Sequence, residues 1–223
     1  MFLAPQPRPA RVALGLLTTL LLTSLTAPPA RAKVELDLSR KRGLMVSGGV
    51  GLNGCTGDHC DNLRPLLSVK LHPAFRILPY VAAGLHLSFL SQSPGFPTGG
   101  GRAELWQLLL GPEVRGLLPL KKLDLWAAFS LGYHRTRRLV ASDGHRIESV
   151  TNGFGFGWGL GVDYYLYKNR VAIGGDVWVY KAIPLGLCTR VGVNPQACRT
   201  EDVPDGYGAT IAVGLTAVWF LSL

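Results

Sequence analysis

His86 and Ser88 come closest, among the residues of this sequence, to a pair that could carry out catalysis. A histidine can accept the proton of a serine hydroxyl, and a carboxylate such as Glu104 can orient that histidine. Only Leu87 separates the two residues, so in a strand they share one face, which is the polar face of its segment. Because the spacing to Glu104 does not suit a third partner, we interpret His86 and Ser88 as polar residues of an interior.

Charged residues recur at alternate positions of otherwise apolar segments. Both signs occur, and charges enclosed in a narrow space are costly unless they are paired. We therefore predict an internal polar network, and within it we expect Arg115 to face Asp124. Its members are Lys70, Arg76, Glu113, Arg115, Asp124, Asp163 and Asp176.

Four cysteines allow three pairings. We favour the two local bridges, Cys55–Cys60 and Cys188–Cys198, each constraining a loop by about 2–3 kcal/mol. The alternative is a zinc site from Cys55, Asp58, His59 and Cys60. Those ligands are crowded and an exported chain favours oxidised cysteines, so we predict no metal and no cofactor.

Arginines cluster in the stretch 135–151, at Arg135, Arg137, Arg138 and Arg146. Guanidinium groups bind phosphate well, so these residues are candidates for contact with lipopolysaccharide phosphates. An ordinary solvated loop is the simpler interpretation. The net charge of +9 comes with no basic stripe of interleaved aromatics, and nucleic acid is not an expected partner.

The elements that carry these residues show the two-residue period of β-strands. In 152–166, apolar and aromatic residues occupy the even positions from Phe154 to Leu166, and five glycines from Gly153 to Gly161 occupy odd ones. A helix would scatter those glycines and lose about 1 kcal/mol for each. Similar alternation predicts eight strands, at 44–53, 67–76, 80–89, 106–115, 123–134, 152–166, 171–180 and 207–219.

The connections between these strands alternate in predicted length. Three are short (77–79, 117–122 and 168–169) and four are long (54–65, 90–104, 135–151 and 182–206). A tight turn after Tyr167 would place Gly161 opposite Asp176, Gly159 opposite Trp178 and Gly157 opposite Tyr180. Each large inner side chain would then meet a glycine, as a narrow barrel interior requires.

One face of every strand carries no charge over its central part, and this face is the one we expect to contact lipid. Segments of about ten tilted residues cover the apolar band of roughly 25 Å in such barrels. Aromatic residues lie near the ends of the apolar faces: Phe89, Trp106, Tyr133, Phe154 and Tyr207 at one end, Tyr164 and Trp219 at the other. We predict an all-β, eight-stranded antiparallel up-and-down transmembrane β-barrel, with a soluble β-barrel as the alternative.

The first 32 residues read as a secretory signal peptide. Arg8 and Arg11 precede an apolar stretch over 12–25, and the small residues of 27–32 suggest cleavage after Ala32. Residues 33–42 would form a short periplasmic segment and residues 43–223 the barrel.

The stretch 157–166, which reads GWGLGVDYYL, and 171–177, which reads VAIGGDV, resemble the penultimate hairpin of OmpA/OmpW-type small outer-membrane barrels. The resemblance extends over roughly 43–223, although the chain ends Leu221-Ser222-Leu223 instead of on an aromatic residue. It implies a bacterial outer-membrane location with both termini in the periplasm. The implied partners are outer-membrane lipid, lipopolysaccharide and, during insertion, the barrel-assembly machinery.

The expected function is structural or surface-interacting, without enzymatic activity, in a monomer. The alternatives are a passive conduit for small apolar molecules, as in OmpW-like proteins, and a lipid A-modifying hydrolase. The last rests on His86-Leu87-Ser88, which resembles the His-x-Ser of PagL-type lipid A deacylases.

Overall fold

The computed structural model describes residues 42–56, 63–94, 102–142, 145–167, 170–192, 196–200 and 208–222. Its strands are β1 (Gly43–Cys55), β2 (Leu63–Leu78), β3 (Val81–Pro94), β4 (Arg102–Pro119), β5 (Leu123–Ser142), β6 (His145–Tyr167), β7 (Val171–Val191), β8 (Ala197–Arg199) and β9 (Thr210–Ser222). The described part of the chain contains no helix of the length and apolarity needed to cross a membrane. Some predictions concern residues that lie wholly or partly outside these ranges. They are the signal peptide, residues 33–41, Tyr207 and the alternative zinc site of Cys55, Asp58, His59 and Cys60.

Eight of the strands form a closed antiparallel ring. Each of β1 to β6 pairs with the next strand along the chain, and β9 pairs with both β7 and β1. The short β8 pairs with the outer part of β7. The predicted eight-stranded antiparallel architecture is confirmed, and each described strand of the ring has a neighbour on both sides, as closure requires.

The predicted two faces of the strands are also observed. On β6, Trp158 and Leu160 expose 58% and 65% of their surface, whereas the glycines between and beside them lie against the interior. On β9, Leu215 is 74% exposed, and its neighbour Thr216 is buried. Alternate residues therefore line the inside and the outside of the ring, as strand geometry requires.

Several strands are longer than predicted, mainly at one end of the barrel. β5 and β6 have 20 and 23 residues, and Ser142 pairs with His145, so the predicted long connection over 135–151 is mostly strand. β7 likewise continues to Val191. The prediction was wrong because charged and polar residues occupy both faces in this region. Backbone hydrogen bonds continue the strand pairing there, but the hydrophobic alternation that predicts a strand is lost.

Two register predictions had different outcomes. Gly161, Gly159 and Gly157 do pair with Asp176, Trp178 and Tyr180, although an irregularity near Tyr165 alters the turn. The predicted pairing of Arg115 with Asp124 is wrong, since Arg115 pairs with Ala128 and Asp124 pairs with Pro119. β4 continues to Pro119, which shortens the connection and shifts the register toward the turn.

Candidate functional site

The interior of the ring holds a buried ionic network. The structure places all seven predicted members on the inner face, each at most 3% exposed: Lys70, Arg76, Glu113, Arg115, Asp124, Asp163 and Asp176. Six of them form three oppositely charged pairs. Asp163 instead accepts a hydrogen bond from the Thr216 hydroxyl at 3.4 Å.

Two of these pairs connect strands that are not neighbours. Lys70 Nζ on β2 donates to Asp176 Oδ1 on β7, and the indole of Trp178 donates to Asp176 Oδ2 at 3.1 Å. Nearer the short turns, Arg76 donates to Asp124 Oδ2 at 2.9 Å, and the Tyr165 hydroxyl donates to the same oxygen at 2.8 Å. The third pair, Arg115 with Glu113, belongs to a histidine cluster. Such contacts across the interior hold opposite walls of the ring together.

The histidine cluster contains His72, His86 and Glu113, from three consecutive strands. Glu113 Oε2 lies 2.6 Å from His72 Nδ1 and 3.1 Å from His86 Nδ1, and the two nitrogens are 3.1 Å apart. Arg115 donates to the other carboxylate oxygen, Oε1, from Nη2 at 2.8 Å and from Nε at 3.1 Å. A carboxylate held by an arginine and facing two imidazole nitrogens is an arrangement that can bind a cation.

Aromatic side chains fill the space beside this cluster. His86 lies 4.4 Å from Trp178 between ring centroids, and Trp178 stacks on Tyr180 with an interplanar angle of 5°. Arg115 lies over the Trp126 ring at 4.2 Å. The glycines of β6 form the wall that these rings pack against.

The structure does not bring His86, Ser88 and Glu104 together. His86 and Ser88 are fully buried on the inner face of β3. Glu104 is exposed on the alternate face of β4, where it pairs with Leu139, whereas His86 pairs with Gly111. The carboxylate is therefore outside the ring and cannot orient His86, so these residues do not form a hydrolase triad.

The four predicted arginines lie on strands, and the strands divide them between two faces. Arg135, Arg137 and Arg146 lie on the outward face of β5 and β6, together with Arg190 of β7, which pairs with Glu148. Arg137 forms an ion pair with Glu148 at 2.5 Å and lies 5.3 Å over the Trp106 ring. We call Arg135, Arg137, Arg146 and Arg190 the arginine patch. Arg138 pairs with the buried Leu105 and lies on the inward-facing side of β5, but it is exposed and so does not belong to the enclosed network.

One predicted disulfide is present among the described residues. Cys188 and Cys198 are bonded to each other and occupy paired positions of β7 and β8, with Cα atoms 4.0 Å apart. The Cys55–Cys60 bridge lies outside the described residues because Cys60 does.

Sequence reasoning missed the role of His72. The sequence does show that Lys70, His72 and Arg76 share a face, but the contact with His86 depends on an irregularity between Arg76 and Leu78. That irregularity shifts the β2–β3 register so that the two histidines come opposite each other. Its position was not marked by a glycine or another recognisable signal.

The comparisons with known proteins agree with this fold. No protein-family model matches the sequence, and comparison with curated protein sequences gives no match. A major outer membrane protein from Thermus thermophilus superposes with a TM-score of 0.61 at 13% identity, over 82% of this chain and 100% of that chain. Neisserial surface protein A (NspA) superposes with a TM-score of 0.52 at 10% identity, over 82% and 100% of the two chains. The chain thus has the eight-stranded β-barrel fold of small bacterial outer-membrane proteins.

Proposed function

We propose that this chain is an integral outer-membrane barrel with a structural and surface-binding role and no enzymatic activity. Its arginine patch binds the phosphate groups of lipopolysaccharide. The observation that carries the proposal is the contrast between the two faces of the ring. The outside is apolar where the inside is ionic, which is the reverse of a soluble barrel.

The apolar belt extends around all eight strands of the ring. Exposed large hydrophobic residues occur on each of them, for example Val50, Val69, Leu85, Val114, Phe129, Leu160, Val177 and Leu215. In water, an apolar surface of this extent would drive association, because isolated soluble proteins rarely expose patches above a few hundred Å². Contact with lipid hydrocarbon removes the free-energy cost of exposing this apolar surface to water. It also explains why the charged side chains are enclosed by the ring.

The arginine patch lies just beyond one end of this belt. Tyr133 and Phe154 are exposed at the end of the apolar face, and the next outward residues of β5 are Arg135 and Arg137. Lys181 is exposed on the outward face of β7 near the same level, where its long side chain can reach the membrane interface. Four arginines against the two carboxylates of Glu104 and Glu148 leave a net cationic surface at the depth where lipid phosphates lie.

The two alternatives have less support. A water-filled passage would expose its lining to water, yet Trp178, His86 and Lys70 are at most 1% exposed. His86 does contact the Glu113 carboxylate, but a hydrolase would also need a lipid to reach the His86–Ser88 pair, and both residues are enclosed by the ring. Filled interiors suit a structural barrel that acts through its outer surface.

Fluorescence quenching by brominated phospholipids tests the orientation of the two faces. Trp158 is 58% exposed on the outward face, and Trp178 is fully buried inside, so the two residues form a matched pair. In liposomes, we expect Trp158→Phe to lower the bromolipid-quenched share of the tryptophan emission. Trp178→Phe should raise that share, because it removes an indole that bromine does not reach.

The opposite pattern would overturn the membrane assignment. If Trp178→Phe lowered the quenched share and Trp158→Phe left it unchanged, lipid would contact the ionic face. No quenching in any form of the protein, despite correct β-structure by circular dichroism, would indicate a soluble barrel.

A further inference from the structure

We infer that the barrel interior contains a binding site for a divalent transition-metal ion of the zinc class, formed by His72, His86 and Glu113. The donor atoms are Nδ1 of each imidazole and Oε2 of the carboxylate. The site lies outside the arginine patch and does not depend on the proposed lipopolysaccharide binding.

The fold brings these donors together through three consecutive strands. His72 lies on β2, His86 on β3 and Glu113 on β4, and all three side chains are on the inner face. In the β3–β4 ladder, His86 pairs with Gly111 and Glu113 pairs with Gly84. Each large side chain of this hairpin is therefore opposite a glycine, and the imidazole and carboxylate can turn toward one another.

The donor triangle has nearly the size that a metal ion requires. Its edges are 2.6, 3.1 and 3.1 Å. Zinc bonds of about 2.0–2.1 Å at tetrahedral angles place ligand atoms about 3.3 Å apart. To reach that separation, the two edges of 3.1 Å lengthen by only a few tenths of an ångström. The edge of 2.6 Å, between Glu113 Oε2 and His72 Nδ1, lengthens by about 0.7 Å. Two imidazoles and one carboxylate are also an established donor set for zinc and for non-haem iron.

Hydrogen bonds alone satisfy this cluster poorly. A neutral imidazole carries one ring proton, so both histidines can donate to Glu113 only if both use Nδ1. No proton then bridges the two nitrogens, which lie 3.1 Å apart. A metal ion accepts one lone pair from each of the three donor atoms and removes the conflict between the two Nδ1 atoms.

Two features of the surroundings resemble the outer shell of a metal site. Arg115 holds Oε1 of Glu113 and so directs Oε2 toward the imidazoles. The His72 ring stacks on Trp178 at 5.2 Å, which fixes its plane. Hydrogen bonds to a ligating carboxylate and an apolar wall are the features that orient metal ligands in proteins.

The enclosed charge can accommodate a divalent cation, which would change its sum from one negative to one positive charge. Among the described residues, the interior holds the cations Lys70, Arg76 and Arg115 and the carboxylates of Glu113, Asp124, Asp163 and Asp176. With neutral histidines, this leaves one excess negative charge. Because His86 is fully buried, the ion enters as the strands assemble, and it then links β2, β3 and β4.

The test is to refold the full-length chain with one equivalent of Co²⁺ or Zn²⁺, and to measure bound metal after gel filtration. We expect about one ion per chain and, with Co²⁺, the intense visible absorption of a site with few ligands. His86→Gln should lower the metal content at least about tenfold. The matched control is His134→Gln, which alters a buried histidine of β5 outside the cluster and should keep the wild-type metal content.

Each other outcome is decisive. A refolded wild-type chain that retains less than about a tenth of an equivalent would overturn the proposal. Equal metal content in His86→Gln would place the ion elsewhere and have the same effect. If His86→Gln fails to form β-structure, X-ray absorption spectroscopy of the zinc-loaded wild-type chain decides the question. The proposed site requires two imidazole ligands, so a spectrum without imidazole ligands excludes it.

Discussion

At the scale of single residues, the interior depends on glycines that make room for rings. A Cβ atom added at Gly159 would lie 2.4 Å from the Trp178 ring, and one at Gly161 would lie 2.3 Å from the Trp126 ring. These distances are far below van der Waals contact, and both rings are enclosed by further side chains. The glycines of β6 therefore serve packing, and their backbone conformation is that of an ordinary strand.

We predict that Gly159→Ala destabilises the barrel by about 1–3 kcal/mol, because a methyl group must displace a fully buried indole. Gly116→Ala is the matched control, since its added Cβ would meet only the Ala127 carbonyl oxygen at 3.8 Å. That variant should stay within about 0.5 kcal/mol of wild type. Urea unfolding of the refolded chain in lipid, followed by tryptophan fluorescence, measures both free energies. Equal effects of the two substitutions would show that the indole is not tightly packed.

The sequence allowed this packing to be predicted but not the histidine cluster. The pairing of Gly159 with Trp178 follows from counting residues away from a two-residue turn; Tyr167 in fact pairs with Val171, and the irregularity between Tyr165 and Tyr167 restores the counted register. The contact of His72 with His86 requires a register shift near Ile77, where the residues give no sign of it. A register error of one residue reverses the two faces of a strand. Contacts beyond an unrecognised register shift therefore cannot be predicted by counting residues from the turn.

At the scale of strands, alternation located all eight members of the ring but not their outer ends. The Asp143-Gly144 pair is a common hairpin dipeptide, and it stands between Ser142 and His145, which pair with each other. That signal predicts continuous strands on both sides, whereas the surrounding charges suggested a loop. The difference matters for function, because a strand assigns each arginine to one face.

We predict that the double variant Arg135→Ala, Arg190→Ala binds lipopolysaccharide at least about tenfold more weakly than wild type. Both side chains lie on the outward face beyond the apolar belt, and each charge-assisted hydrogen bond contributes about 1.5–3 kcal/mol. Titration of the detergent-solubilised chain with labelled lipopolysaccharide measures the dissociation constants.

Arg138→Ala is the control for this experiment, since Arg138 adjoins Arg137 in sequence but lies on the inward-facing side of β5. Its affinity should remain within about twofold of wild type, given the small effects of surface substitutions away from a contact. Similar losses in Arg138→Ala and in the double variant would mean that charge alone matters, and that the outward patch is not a binding surface.

At the scale of the whole molecule, closure of the ring and filling of its interior are linked. An eight-stranded ring encloses a space that side chains can fill completely. Here Lys70 with Asp176 and Arg76 with Asp124 span that space at different levels, and the aromatic rings lie between. Enclosed charges that connect opposite walls resist the movement that opening a passage would require.

We therefore predict that the wild-type barrel conducts no measurable ion current and does not accelerate swelling of liposomes. The layer formed by Trp126, Trp178 and Tyr180 lies across the interior, and all three side chains are at most 5% exposed. The double variant Trp178→Ala, Tyr180→Ala removes two rings of this layer. The control variant Trp158→Ala removes an outward-facing ring at the same height along the barrel. If the rings form the seal, the inner double variant leaks and the outward variant remains tight. Resolvable current steps from the wild-type chain would instead mean that the interior opens in the membrane. The passive-conduit alternative would then account for the molecule better than a filled structural barrel.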